Sequence, residues 1–180
     1  MQEPKVRLTD IATLRQRARE HLEDGAVTTG YRADRQQVLR LLNEALATEL
    51  VCWLRYRRHY FMAKGIHAEV AASEFLQHSN QEAEHADLLA ARIIQLRGEP
   101  NFSPEGLAER SHAEYVAGGT LKEMLQEDLV AERIAIESYG EVIRFLGGDD
   151  PTSRILLESI LATEEEHADD LAGLLDGIRN

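Results

Sequence analysis

Glu82-Ala83-Glu84-His85 and Glu164-Glu165-Glu166-His167 are two copies of one device, a glutamate followed three residues later by a histidine, each interrupting an apolar stripe of helical period. Residues three apart on a helix share a face, so each copy aims a carboxylate and an imidazole at one point beneath the helix. The glutamates of the two copies are 164 − 82 = 82 residues apart, and the histidines 167 − 85 = 82. Two single glutamates, Glu49 and Glu132, keep nearly the same interval, 132 − 49 = 83. The chain therefore reads as two similar helical hairpins, each with a lone glutamate on its first helix and a Glu-x-x-His pair on its second. Facing helices that supply this set can hold a pair of iron or manganese ions between them.

The company these residues keep makes solvated faces a poor explanation. Leu42, Ala45, Leu46, Trp53 and Tyr56 share a face with Glu49, and Phe75, Leu89, Ile93 and Leu96 accompany Glu82 and His85. Leu125, Leu129, Ile136 and Tyr139 surround Glu132, while Leu157, Ile160, Leu161, Leu171 and Leu174 flank Glu164 and His167. A lone carboxylate in such surroundings would take up a proton or cost several kcal/mol. Two divalent cations balance four carboxylates and leave two neutral imidazoles. Arg133 is the one basic neighbour, and its adjacent helical position turns it away from Glu132. Carboxylates with one imidazole per ion suit iron or manganese, although zinc or cobalt fits the same ligands.

Composition narrows the remaining possibilities. The 180 residues, 43% of them hydrophobic, suit one domain with a sizeable core that needs no disulfide. The lone Cys52 sits in an apolar helical run and reads as a buried small hydrophobe in a reducing, cytoplasmic setting. No export leader and no apolar run long enough to span a membrane are evident in the sequence. The net charge of −12 opposes general affinity for nucleic acid and favours attraction of cations. In residues 1–25, Lys5, Arg7, Arg15, Arg17 and Arg19 are offset by Glu3, Asp10, Glu20, Glu23 and Asp24, so there is no basic arm. Arg55, Arg57 and Arg58 are the densest basic cluster and read as a solvated or subunit-contact face.

Punctuation places four long helices. The first starts at a capping box of the Asp34–Gln37 type and reaches about Lys64, with Gly65 as its cap; the second runs from about Ala68 to Arg97 and stops at Gly98. Thr120 and Glu123 form a second capping box, opening a helix that closes at Gly147, and Asp150-Pro151 opens a fourth that ends near Ile178. The links at Gly65 and at Gly147–Asp150 are brief enough to make antiparallel hairpins, whereas residues 98–119 can run the length of the bundle. The expected fold is all-α: an antiparallel four-helix bundle over residues 34–180 with one long crossover. An N-terminal extension, residues 1–33, carries a short extra helix from Asp10 to about Asp24.

Leu46 to Val51 through Tyr56, then Glu82 to Asp87, Glu123 to Leu125 with Asp128 to Glu132, and Glu164 to His167 together resemble bacterioferritin over roughly residues 34–178. The resemblance implies a ferritin-like bundle with an intrasubunit di-iron ferroxidase centre. Glu49 and His85 would be terminal ligands of one iron, Glu132 and His167 of the other, and Glu82 and Glu164 would bridge. Tyr56 falls where the family has a tyrosine that can donate an electron during oxygen reduction, and two helical turns from Glu49 agree with that place; a plain core tyrosine is the other reading. Asp128 matches an aspartate that orients a ligand histidine.

Three departures from the family refine this. The methionine that ligates haem in bacterioferritins is replaced by Ala83, so haem is not expected. Where the family has inner-surface iron ligands, this chain has Gln77, His78 and Gln81; His78 is either a transient iron stop or, by preference, a satisfied histidine near the core. Only 180 − 167 = 13 residues follow His167, too few for the fifth helix of the twenty-four-subunit cages. The chain is thus identified with the Dps-like mini-ferritins, and the expected assembly is a homo-oligomeric 12-mer, with twenty-four subunits the alternative. Many of those proteins carry a cysteine pair near the site, where this chain has Cys52 alone.

The activity this implies is oxidation of Fe(II) to Fe(III) by oxygen or hydrogen peroxide, with ferric mineral stored in a protein cage. The same ligands could serve a discrete di-iron oxidase acting on an organic substrate, although no inserted substrate-binding segment is visible beyond the crossover. A DNA-protecting mini-ferritin is the third reading, against which the acidic charge weighs.

Overall fold

Turn chemistry sets where the helices begin and end. The computed structural model describes residues 8–65 and 68–179. They form α1 (Ile11–Arg17), α2 (Arg35–Met62), α3 (Ala68–Gln95), the single turn α4 (Leu107–Arg110), α5 (Leu121–Leu146) and α6 (Pro151–Arg179), with one 3-10 turn at Leu22–Asp24. Asp34 caps α2 by accepting from the N–H groups of Gln36 and Gln37. At α5 the capping box closes in both directions: Thr120 accepts from the Glu123 N–H, and the Glu123 carboxylate accepts from Thr120 and also from Gly119. Asp150 caps α6 through Ser153.

Two helix ends differ from the sequence expectation. α2 stops at Met62, because Ala63 already leaves helical backbone; Gly65, at φ +112°, turns the chain instead of capping the helix. α3 ends at Gln95, short of Arg97, and Arg97 takes the left-handed conformation. Arg97 N–H bonds to Ile94 and Gly98 N–H to Ile93, the double bond pattern of a Schellman ending. Gly98 is needed for a different reason: a Cβ there would stand 2.3 Å from a Leu39 methyl. The N-terminal helix is also shorter than expected. α1 has seven residues and buries none of them, and His21, at φ +51°, separates it from the 3-10 turn. A helix that short, with no packed face, lacks the tertiary support that would carry it to Asp24. Glu3, Lys5 and Arg7 of the N-terminal charge balance lie outside the described residues.

Side-chain bonds between helices fix the topology. Along α2 and α5 the partners run in opposite senses, Glu49 with Tyr139, Tyr56 with Glu132, and His59 with Asp128. Along α3 and α6, Arg92 meets Ser153 while Gln81 meets His167. α5 is therefore antiparallel to α2, and so is α3, whose Asn80 meets Arg57 and whose His85 meets Glu49; a long crossover must carry the chain from the end of α3 back to the other end of the bundle. Its path along α2 is pinned in steps. Asn43 holds Glu99 and Asn101, Thr48 holds the N–H of His112, Arg55 holds the Glu114 carbonyl, and Arg58 with His59 holds the Ala117 carbonyl. The crossover's backbone groups thereby find partners that a loop over an apolar bundle would otherwise lack.

The apolar core is in two pieces. One gathers Leu42, Leu46, Leu89, Ile93, Leu146 and Leu157, and the other Tyr56, Phe75, Leu125, Leu171 and Leu175. Between them, at mid-height of all four long helices, lies a layer of buried charged and polar side chains. No helix among the described residues is long and apolar enough to cross a membrane.

Candidate metal centre

α2 contributes Glu49 to this layer, α3 Glu82 and His85, α5 Glu132, and α6 Glu164 and His167. All six are buried, none more than 7% exposed. They make two groups that could each hold a cation, Glu49, Glu82, His85 and Glu164 in one and Glu82, Glu132, Glu164 and His167 in the other. Within each group the donor atoms lie within 4.8 Å of one another, and Glu82 and Glu164 belong to both. His85 Nδ1 is 3.1 Å from Glu49 and 3.0 Å from Glu164; His167 Nδ1 is 3.3 Å from Glu164, 3.5 Å from Glu82 and 3.9 Å from Glu132.

The lone glutamates are each held by a tyrosine on the opposite helix. Tyr139 of α5 donates its hydroxyl to Glu49 of α2, and Tyr56 of α2 donates to Glu132 of α5. The role of Tyr139 was missed in the sequence, where it passed as a core residue. The signal was present: each tyrosine follows its helix's glutamate by seven residues, 56 − 49 = 7 and 139 − 132 = 7. Burial, and then the nearby carboxylates, push both phenols well above their ordinary range, so each keeps the proton it donates. Gln81 Oε1 lies 3.1 Å from His167 Nε2. That bond puts the His167 proton on Nε2 and leaves Nδ1 unprotonated, its lone pair facing the carboxylates and free to ligate a cation.

Without cations the cluster has too much negative charge and must retain protons. Burial, reinforced by the neighbouring carboxylates, raises Glu82, Glu132 and Glu164 above the usual carboxylate range. Burial also opposes ionisation of Glu49, but His85 beside it, with hydrogen bonds from Glu82 and Tyr139, outweighs that and lowers its pKa. His85 is itself raised to about 10, since Glu164 and Glu49 overcome its own desolvation. Burial lowers His167. Glu82 Oε1, Glu132 Oε2, Glu164 Oε1 and His167 Nδ1 are all buried without an aligned hydrogen bond. Buried polar atoms are ordinarily satisfied, and four orphans converging from three helices fit cations as their missing partners.

Nearby residues correct two expectations. Asp128 does not orient a ligand histidine. Its carboxylate takes the Arg55 guanidinium at 2.7 Å and His59 Nδ1 at 2.7 Å, because it lies one turn before Glu132 at the level of α2 residues 55 and 59, while His85 and His167 are on α3 and α6. Arg55 in turn is no solvated residue, being 1% exposed, and of its cluster Arg57 bonds Asn80 while Arg58 bonds the crossover. His59 had no reading in the sequence; its i+4 spacing from Arg55 was the available signal. Cys52 is buried, and desolvation pushes its thiol well above the ordinary range.

A model of the family described as Ferritin, ferritin-like domain, matches residues 39–180. The chain belongs to the ferritin-like family. This ferritin-like chain is 35% identical over 133 residues to a bacterioferritin of Mycobacterium leprae, covering 73% of this chain and 79% of that protein. A bacterioferritin of Brucella melitensis is 34% identical over 143 residues, covering 78% and 83%. Among solved structures, the bacterioferritin-related protein of Bacteroides fragilis, described as a dodecameric thioferritin, matches with a TM-score of 0.78 at 32% identity, over 81% of this chain and 88% of that one. Dps from Staphylococcus aureus shares the fold with a TM-score of 0.76 at 20% identity, over 80% and 98%. The resemblance to bacterioferritin read from the motifs agrees with these relatives.

Proposed function

We propose that this ferritin-like chain takes up two Fe(II) ions as substrate, oxidises them, and stores the ferric product inside a cage built of 12 copies of itself. The carrying observation is that two cation-sized groups share Glu82 and Glu164. In this reading Glu49 and His85 are terminal to one ion, Glu132 and His167 to the other, and the shared carboxylates bridge. Iron storage is supported by the bacterioferritin relatives, and the 12-fold cage by the dodecameric relative from Bacteroides fragilis.

Each Fe(II) gives up one electron. Two electrons and two protons take hydrogen peroxide to two waters, or oxygen to hydrogen peroxide, so a pair of ions held together completes either reduction without releasing a one-electron radical. The raised carboxyls of Glu82, Glu132 and Glu164 give up their protons as cations arrive, which couples uptake to proton release. In this reading Tyr56 supplies the second electron to hydrogen peroxide when only one Fe(II) is at hand, its phenol proton passing to the hydrogen-bonded Glu132. Gln81 keeps His167 Nδ1 turned inward.

The test is to mix purified protein with Fe(II) and an oxidant and follow ferric absorbance. The parent should oxidise iron much faster than buffer does, and Glu82→Ala or His85→Ala should abolish the fast phase while helical circular dichroism persists. Parent-like rates in those variants would overturn the assignment. Storage is read separately from the iron load: hundreds of irons per assembly support it, and a load that stops at two per chain refutes it.

A further inference from the structure

His78 was read in the sequence as a satisfied histidine or a transient iron stop, and the structure rejects the first of these. It is 0% exposed, yet neither ring nitrogen has a hydrogen-bond partner among the described residues. Its Nε2 faces Asp170 at 3.5 Å and Glu74 at 3.8 Å, too far for a charge-assisted hydrogen bond, which closes to roughly 2.7–2.9 Å. Two donors that share an ion at about 2.1 Å stand roughly 3.0–3.4 Å apart, so a small closure brings these atoms to coordination distance. The three residues form a cation-sized group in which no donor atom lies more than 4.8 Å from another.

We propose that Glu74, His78 and Asp170 are a third divalent-cation site, outside the six-residue centre. His78 forms its buried floor, while Glu74 and Asp170, with side chains 30% and 43% exposed, form a rim open to water. Two carboxylates and one imidazole select a first-row divalent ion such as Fe(II), Mn(II), Co(II) or Zn(II), with water completing the shell. The His78 ring stacks on His167 at 3.9 Å between centroids, so an ion here waits one side chain away from the centre. Glu74 and His78 are spaced i, i+4 on α3, and Asp170 follows His167 by three on α6, so the helices that build the centre also build this site.

Co(II) tests the proposal on the intact assembly, by its visible absorption and by anomalous scattering from crystals. The combined variant Glu74→Gln/Asp170→Asn changes two partly exposed carboxylates, so the fold persists, and a metal-free melting curve checks this. It should bind one Co(II) per chain fewer than the parent and lose the anomalous peak beside His78 Nε2, while the peaks at the six-residue centre remain. Glu82→Ala should do the reverse, disturbing the centre and sparing the peak at His78. An unchanged Co(II) count in the combined variant, or no parent peak at His78, overturns the third site. A parent peak only at His78 would retain this site and defeat the di-iron reading instead.

Discussion

Replacing Asp128 by alanine should be among the most damaging changes available outside the six-residue cluster. The carboxylate is 0% exposed and holds two groups at once, the Arg55 guanidinium, itself 1% exposed, and the ring of His59. Its removal leaves a buried cation without a counter-charge, which costs about 3–5 kcal/mol. At about 2–4 °C per kcal/mol for a chain of this size, the melting midpoint should fall by roughly 6–20 °C. Melting would be followed by circular dichroism with chelator present, so that bound metal cannot mask the loss. Arg55→Met with Asp128→Leu removes both charges and should recover most of the stability, leaving about 1–3 kcal/mol for the His59 nitrogen that has lost its partner. The exposed pair Arg154–Glu158, at 3.6 Å, is the control, and Glu158→Ala should cost under about 0.5 kcal/mol. An Asp128→Ala loss of less than about 1 kcal/mol, or a double variant as damaged as the sum of its singles, would refute the reasoning.

Tyr56→Phe and Tyr139→Phe each remove the bond that fixes a lone glutamate, and each should weaken Co(II) binding at the centre by about 10–100-fold in competition titrations, with little change in helix content. In the metal-free protein, Glu82, Glu132 and Glu164 bind protons more tightly folded than unfolded. Their contribution is present below the unfolded carboxyl pKa and is lost as pH rises through the raised folded values; His85, raised to about 10, acts in the same sense above its unfolded value, while Glu49, His78 and His167 act in the opposite sense. Metal-free melting midpoints should therefore fall as pH rises from about 5 to 8, and the gain on adding divalent metal should grow over the same window; a metal-induced gain that is flat across it would contradict the raised carboxyls. Gly98→Ala should cost about 1–3 kcal/mol by melting, since the new methyl must displace Leu39. With Ala83 in the haem-ligand position, the purified protein should show no stoichiometric haem band after gel filtration.

The four long helices were legible because their signals are local. A capping side chain such as Thr120 or Asp150 and a 3.6-residue apolar period act within a few residues of themselves, and the repeated Glu-x-x-His spacing revealed which faces meet. The six clustered residues were legible for the same reason, as polar breaks in apolar stripes. What stayed hidden depends on the partner helix. Nothing within α5 says that Asp128 faces Arg55 and not a histidine, and nothing within α2 says that three neighbouring arginines divide between core, surface and crossover. α3 closes at Gln95 instead of about Arg97 because Arg97 itself takes the left-handed turn, while the glycine at 98 satisfies a packing demand from Leu39. The short α1 was overread because a helical pattern without a surface to pack against does not propagate.

The sharing of Glu82 and Glu164 between two ions is most directly tested by counting the Fe(II) oxidised per chain in the first fast phase, with the oxidant limiting and then in excess. Two Fe(II) per chain in one kinetic phase, lost together in Glu82→Ala and in Glu164→Ala, is the predicted result. One Fe(II) per chain, or two that are lost separately, would contradict a bridged pair.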